Sequence, residues 1–164
     1  MQLSEMDDFL SDTNIKAMFD NELFLLLKTI AACMNCGIAV GSNNTTTPFV
    51  FWNAKATEIL GQGPTNKPPE EWIDIYGIRD ANGEPLSPDD IPLKKAMNGL
   101  KTFDQVIIMH NYLLKRDLYI TCNAMPIIKN DIVIGGVVVF MDATHLHQEV
   151  SKIENINTHL KSLL

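Results

Sequence analysis

Cysteine is scarce in this chain of 164 residues: there are three, Cys33, Cys36 and Cys122. So few, and an odd number, exclude the paired framework that staples small secreted domains, and reduced thiols are expected. Positive charge is scarce as well. Thirteen Lys and Arg stand against twenty Asp and Glu, a net charge of −7. The basic residues are scattered rather than clustered, which excludes nonspecific DNA or RNA binding, because phosphate neutralisation needs grouped cations. No apolar run reaches the roughly twenty largely uncharged residues that a membrane helix needs. The most apolar stretch, 23–40, carries Lys28 inside it and Asn35 and Gly37 towards its end. Residues 1–12 include four acids and lack the basic start and apolar run of a secretory signal, so the expected address is the cytoplasm. No residue cluster has the make-up of a catalytic centre, and a regulatory module rather than an enzyme is expected.

What the chain does contain is enough apolar material for one sizeable core, at 46% hydrophobic and 20% charged residues. Residues 1–13 read as a flexible N-terminus. Thr13 or Asn14 can cap a flanking helix over 14–35, in which Phe19, Leu23, Leu26, Ile30 and Cys33 form one stripe. Gly37 ends it, and Ile38-Ala39-Val40 begins a strand. A polar loop at 43–48 leads to Phe49-Val50-Phe51-Trp52, a second strand that makes a hairpin with the first. Asn53 stands where a helix cap belongs and Gly61 where a short helix stops.

Residues 61–88 hold five of the eight prolines, so only a turn of helix near 70–75 is predicted there. A further helix opens at Ser87 or Pro88, with Asp89 and Asp90 suited to its positive end, and closes at Gly99. Three strands follow at 103–110, 118–125 and 132–141. In the middle one Leu118, Ile120, Cys122 and Ala124 alternate with Tyr119, Thr121, Asn123 and Met125, an apolar face small enough to line a cavity. The fold class is therefore α+β, a five-stranded antiparallel sheet with short helices on one face and flanking helices at both ends. After Thr144, Leu146, Ile153 and Leu160 fall seven apart, as do Glu149, Ile156 and Leu163, the a and d positions of a heptad repeat. A parallel homodimer through this helix, 145–164, is expected, helped by the N-terminal helix.

Several sequence elements keep the spacing of a known family. They are Phe51-Trp52-Asn53 before a helix ending at Leu60-Gly61; the run from Gly83-Glu84-Pro85-Leu86 through Asp89-Asp90-Ile91-Pro92-Leu93; Ala96, Met97 and Gly99; Asn123-Ala124-Met125-Pro126-Ile127; and Ile134-Gly135-Gly136-Val137 leading to Asp142-Ala143-Thr144. Over 36–144 the chain resembles a PAS domain of the bacterial sensor type, although the family usually carries Ile or Val where Ala143 stands. The resemblance implies a small-ligand sensor that dimerises through flanking helices and regulates an output domain, a histidine kinase foremost. It also implies signal transmission at Asp142 and Thr144. Thr144 can cap the exit helix by accepting a backbone amide, with Asp142 adding negative charge at the same end.

Phe51, Trp72, Tyr76, Cys122 and Val138 are the candidate ligand-binding residues. No cofactor is assigned. The Asn-Cys-Arg of blue-light flavin relatives is missing, since no cysteine stands in 60–69, and the helix before the third strand has no axial histidine for haem. Cys33 and Cys36 have dithiol spacing, but at a helix C-terminus the dipole disfavours a thiolate, so a redox switch is an alternative and two buried thiols the first expectation. A third reading is a dimerisation module with a filled core. His110, His145, His147 and His159 make no metal set, and Gly61-Gln62-Gly63 is followed by Pro64 rather than a phosphate-binding turn. His147-Gln148-Glu149 lacks the Arg and Pro that follow a kinase phosphoacceptor histidine.

Overall fold

A computed structural model of the protein describes residues 21–43 and 46–163. The N-terminal segment 1–13, the helix start at Thr13 or Asn14, Phe19 and Leu164 lie outside the described residues. Helix α1 (Asn21–Cys33) leads into strand β1 (Gly37–Ser42), which turns back into β2 (Phe49–Trp52). Helix α2 (Ala54–Leu60) follows, then a 3₁₀ turn at Pro69–Glu71 continuing into α3 (Trp72–Tyr76). Strand β3 (Arg79–Asp80), a second 3₁₀ turn (Pro88–Asp90) and α4 (Pro92–Met97) precede the long strands β4 (Thr102–Asn111), β5 (Arg116–Lys129) and β6 (Ile132–Asp142), and α5 (Thr144–Ser162) leaves the sheet.

The sheet is antiparallel in the order β2-β1-β6-β5-β4-β3. It has six strands where five were expected. The sixth, β3, joins β4 through Arg79 with Ile108 and Asp80 with Ile107, and two residues are too few to display an alternating pattern. The helix expected from 88 to 99 is broken at Ile91, whose backbone is extended (φ −62°, ψ 126°) between the 3₁₀ turn and α4. The cause is Pro92, whose ring disfavours the helical conformation in the residue before it.

One face of the sheet packs on α2, α3 and α4. Close approach of α4 to β6 depends on Gly136, where a side-chain carbon would collide with Ala96 at 2.7 Å. Within β5, Leu118, Ile120, Cys122 and Ala124 are all buried in the core and their neighbours are not, the simple period of a strand with one covered face. The flanking helices contribute little to this core. In α1, Leu23, Leu26, Leu27 and Ile30 are exposed while Ala31 is buried, and α5 has no buried residue.

Asn53 fixes the join between α1 and the sheet. It is 2% exposed and uses every hydrogen-bonding site of its side chain. Oδ1 accepts from the amides of Ile38 at 2.9 Å and Ala56 at 3.0 Å, while Nδ2 donates to the carbonyls of Ala31 at 3.1 Å and Cys36 at 2.9 Å. The Ala56 bond is the expected cap of α2. The other three tie the end of α1 and the start of β1 to that same cap.

Candidate functional site

The helices and the sheet line a partly open cavity of about 50 Å³ whose walls come from almost every element of the core. Trp72 and Tyr76 on α3, Cys122 on β5 and Val138 on β6, four of the five candidate ligand residues, all line it. Phe51 does not; Phe49 and Trp52 line it instead. The reason is a bulge in the hairpin: Val40 pairs with Phe51 but Gly41 pairs with Phe49. The extra residue breaks the alternation, so Phe49 and Trp52, three apart, are both buried while Phe51 between them is only half-buried.

Four rings fill much of the space. Phe49 stacks on Trp72 with centroids 4.6 Å apart, Trp52 stacks on Tyr76 at 5.9 Å, and Phe49 meets Trp52 edge-on at 5.0 Å. Their polar tips all turn away from the cavity. Trp52 Nε1 donates to Thr57 Oγ1 at 3.0 Å, Trp72 Nε1 to the Lys67 carbonyl at 3.0 Å and the Tyr76 hydroxyl to the Gly63 carbonyl at 3.2 Å. The aromatic cluster thereby holds the 57–67 connection across its outer side. Among the described residues no buried side-chain nitrogen or oxygen lacks a partner, so the cavity offers a guest apolar surface and no free hydrogen-bonding group.

The site is also electrically silent. Burial pushes the Cys122 thiol up to about 12 and raises the Tyr76 phenol above its ordinary value, against a smaller opposing effect of the Thr65 backbone. Both stay neutral through the physiological range, which denies Cys122 the thiolate that nucleophilic chemistry requires. Cys36 is buried with its pKa raised by desolvation, whereas Cys33 is exposed. The expected pair of buried thiols is corrected in that respect: α1 ends at Cys33 on its solvent side, and Cys36 lies past the helix. Among the described residues no group of three His, Cys, Asp or Glu is arranged to hold a metal ion.

Beside the cavity stands the exit junction. Leu118 and Ile120, at 1% and 0% exposure, belong to the core, and Tyr119 between them points to the other face. Both backbone groups of Tyr119 bind the junction. Its carbonyl accepts from the Ala143 amide at 2.8 Å, and its amide donates to Thr144 Oγ1 at 3.0 Å. Its ring stacks on His147 in the first turn of α5, with centroids 3.7 Å apart. Asp142 Oδ1 accepts the Thr144 amide at 2.9 Å.

No protein-family model matches the chain, and no curated protein matches it. Solved structures do. A light-oxygen-voltage domain studied with a flavin analogue superposes with a TM-score of 0.53 at 12% identity, over 87% of this chain and 98% of that one. The PAS domain of the fruit-fly ELK potassium channel gives 0.50 at 12%, over 76% of this chain and all of that one, and a sensory box histidine kinase/response regulator from Burkholderia thailandensis gives 0.50 at 12%, over 84% and 98%. The chain has the PAS fold. An RNA-binding light-oxygen-voltage receptor matches over 86% of this chain with a TM-score of 0.51 and 12% identity, and there this chain spans 39% of the other's length.

In this PAS fold the division of labour at the junction differs from the sequence reading. Thr144 is the first residue of α5, and its hydroxyl accepts from the Tyr119 amide near the start of β5, not from the first turn of its own helix. Asp142 takes the amide at the helix start. Thr144 therefore fastens the helix to the strand, and Asp142 holds the bend that lets it do so. Tyr119 and Asn53 were missed as contributors. Tyr119 bonds through its backbone, which any residue type supplies, and Asn53 reads in sequence as a helix cap and nothing more.

Proposed function

We propose that the chain is a sensory PAS module. Its core registers a small apolar ligand or a partner, and the change leaves through Asp142, Thr144 and α5 to an output domain, with a histidine kinase the foremost type. The module does no chemistry itself, works in the cytoplasm and forms a homodimer through α1 and α5. The observation that carries this reading is the fastening of Tyr119: a shift of β5 that moves Leu118, Ile120 or Cys122 also moves the amide and carbonyl that hold Ala143 and Thr144. The kinase output draws support from the fold shared with the sensory box histidine kinase/response regulator. The homodimer draws support from the apolar faces that α1 and α5 leave uncovered. Among the described residues no helix is long and apolar enough to cross a membrane.

Flavin and haem are outside this proposal. A space of about 50 Å³ is a third of the roughly 150 Å³ apolar cavity that admits benzene, and this supports a reading without either group. The same small volume favours the second reading, a dimerisation module with a filled core. The thiol switch is the weaker alternative, because its two sulfurs lie in opposite environments, Cys33 exposed and Cys36 buried.

Filling the cavity tests the proposal. Cys122→Met and Val138→Ile each add volume at its wall, and spin labels at Lys161 report the separation of the two α5 helices in the dimer. A relay predicts that the label distance changes in at least one folded variant. Unchanged distances in both would leave the structural module as the correct reading.

A further inference from the structure

Helix α5 carries two apolar seams, and they overlap. The heptad through Leu146, Glu149, Ile153, Ile156, Leu160 and Leu163 places a carboxylate in the seam. A second heptad runs through Leu146, Val150, Ile153, Asn157 and Leu160, with spacings of four, three, four and three, and Leu164 continues it in the sequence. At about 3.6 residues per turn the two seams are centred roughly 50° apart. The apolar residues of both seams face away from the domain: Thr144, His147 and Ser151 are half-buried on the side where His147 stacks on Tyr119, and Glu149, in the first seam, is half-buried beside Lys152. Leu146, Val150, Ile153, Ile156 and Leu160 are all exposed.

Pairing chemistry separates the seams. In a parallel in-register pair along the first, Glu149 meets Glu149 of the second copy at a core position, so two like charges are brought together and desolvated. Along the second seam Glu149 moves to the flank, where it keeps the Lys152 ion pair of 2.8 Å that it already makes within the helix. The residues then facing the partner are a β-branched Val150 at one core position and Leu or Ile at the alternate ones. A single Asn157 is left, a side chain that another amide at the same level satisfies. A lone Asn at such a position restricts pairing to two parallel strands in one register. The only partner that presents an amide at that level by construction is a second copy of this chain.

We infer that α5 pairs with α5 of a second copy, parallel and in register, along Leu146, Val150, Ile153, Asn157 and Leu160, with Asn157 facing the partner subunit's Asn157. The Glu149 seam is the disfavoured alternative, reached by turning both helices. This inference rests on the homodimer of the proposed function and specifies its contact.

Cross-linking the 164-residue chain decides it, in a Cys33→Ser background that removes the exposed native thiol. Val150 belongs only to the second seam and Ile156 only to the first, and both are exposed, so Val150→Cys and Ile156→Cys leave the core of each domain untouched. The inference predicts that Val150→Cys forms an intermolecular disulfide at least about tenfold faster than Ile156→Cys, because only core positions bring the two β-carbons within bonding range. A faster Ile156→Cys overturns the seam and leaves the homodimer standing. A dimer by sedimentation equilibrium in which neither variant cross-links removes α5 from the interface. A monomer at all concentrations removes the homodimer, and the seam with it.

Discussion

The hydroxyl of Thr144 accepts the backbone amide of Tyr119 at 3.0 Å, across 25 residues of sequence. The bond is part-buried, and it anchors the first residue of α5 to β5, the strand that brings Cys122 to the cavity wall. Thr144→Val keeps the shape and removes the acceptor, leaving the Tyr119 amide without its partner at an expected cost of about 1 kcal/mol. Thr144→Ser keeps the acceptor and should behave like the parent. The check is amide hydrogen exchange at Tyr119 and His147: both should lose protection in the Val variant and retain it in the Ser variant. Equal protection in the two would mean that the hydroxyl does not hold the helix.

How much of this was legible in the sequence depends on whether a feature is periodic or singular. The inward set Leu118, Ile120, Cys122 and Ala124 is unbroken alternation, so β5 and its apolar face could be read directly, and Cys122 of the cavity wall with it. Phe51 was misplaced because a bulge adds a residue to β2, and nothing in Phe-Val-Phe-Trp marks where. Strand β3 is too short for any pattern. At Asn53 and Thr144 the local chemistry of a helix cap was visible, but the carbonyls of Ala31 and Cys36 and the amide of Tyr119 come from residues that only the tertiary fold brings near.

Asn53 offers a sharper test than its cap suggests. Were it only an N-cap, Asp would replace it with little loss, because Asn and Asp cap helices almost equally. Here Nδ2 donates to two carbonyls in a site 2% exposed. An aspartate in its place would set a carboxylate oxygen against both. Asn53→Asp should therefore cost about 3 kcal/mol or more, comparable with Asn53→Ala, as buried groups lose their partners. Urea denaturation midpoints of the two variants measure this. An Asp variant as stable as the parent would reduce Asn53 to a cap.

The three thiols should separate cleanly in labelling. Cys33 is exposed, whereas Cys36 and Cys122 are buried with raised pKa values, Cys122 at about 12. Thiolate, not thiol, attacks a labelling reagent. At neutral pH the native protein should release chromophore from an aromatic disulfide reagent for one cysteine rapidly and for the other two only after unfolding. Rapid reaction of two thiols, or a mass loss of two hydrogens on mild oxidation without dimer formation, would revive the Cys33 and Cys36 switch.

A pH-dependent cluster ties together the neighbouring strands β3, β4 and β5. Asp117 Oδ2 accepts from Arg79 Nη2 at 2.6 Å and Asp117 Oδ1 contacts His110 Nδ1 at 2.8 Å. The Arg79 hydrogen bond, and after it that of His110, hold the Asp117 carboxyl below its ordinary 3.8. A carboxyl lowered on folding contributes stability that is present above its unfolded pKa and disappears as pH falls through its folded one. The side chains are about one-third to one-half exposed, and solvent screening keeps the contribution under about 1 kcal/mol. Asp117→Asn should thus be less stable than the parent at neutral pH, and the gap should narrow below pH 3.8 as the parent's own carboxyl becomes protonated. Denaturation midpoints followed from neutral to acidic pH report the difference, and a gap independent of pH would assign the loss to hydrogen-bond geometry instead of charge.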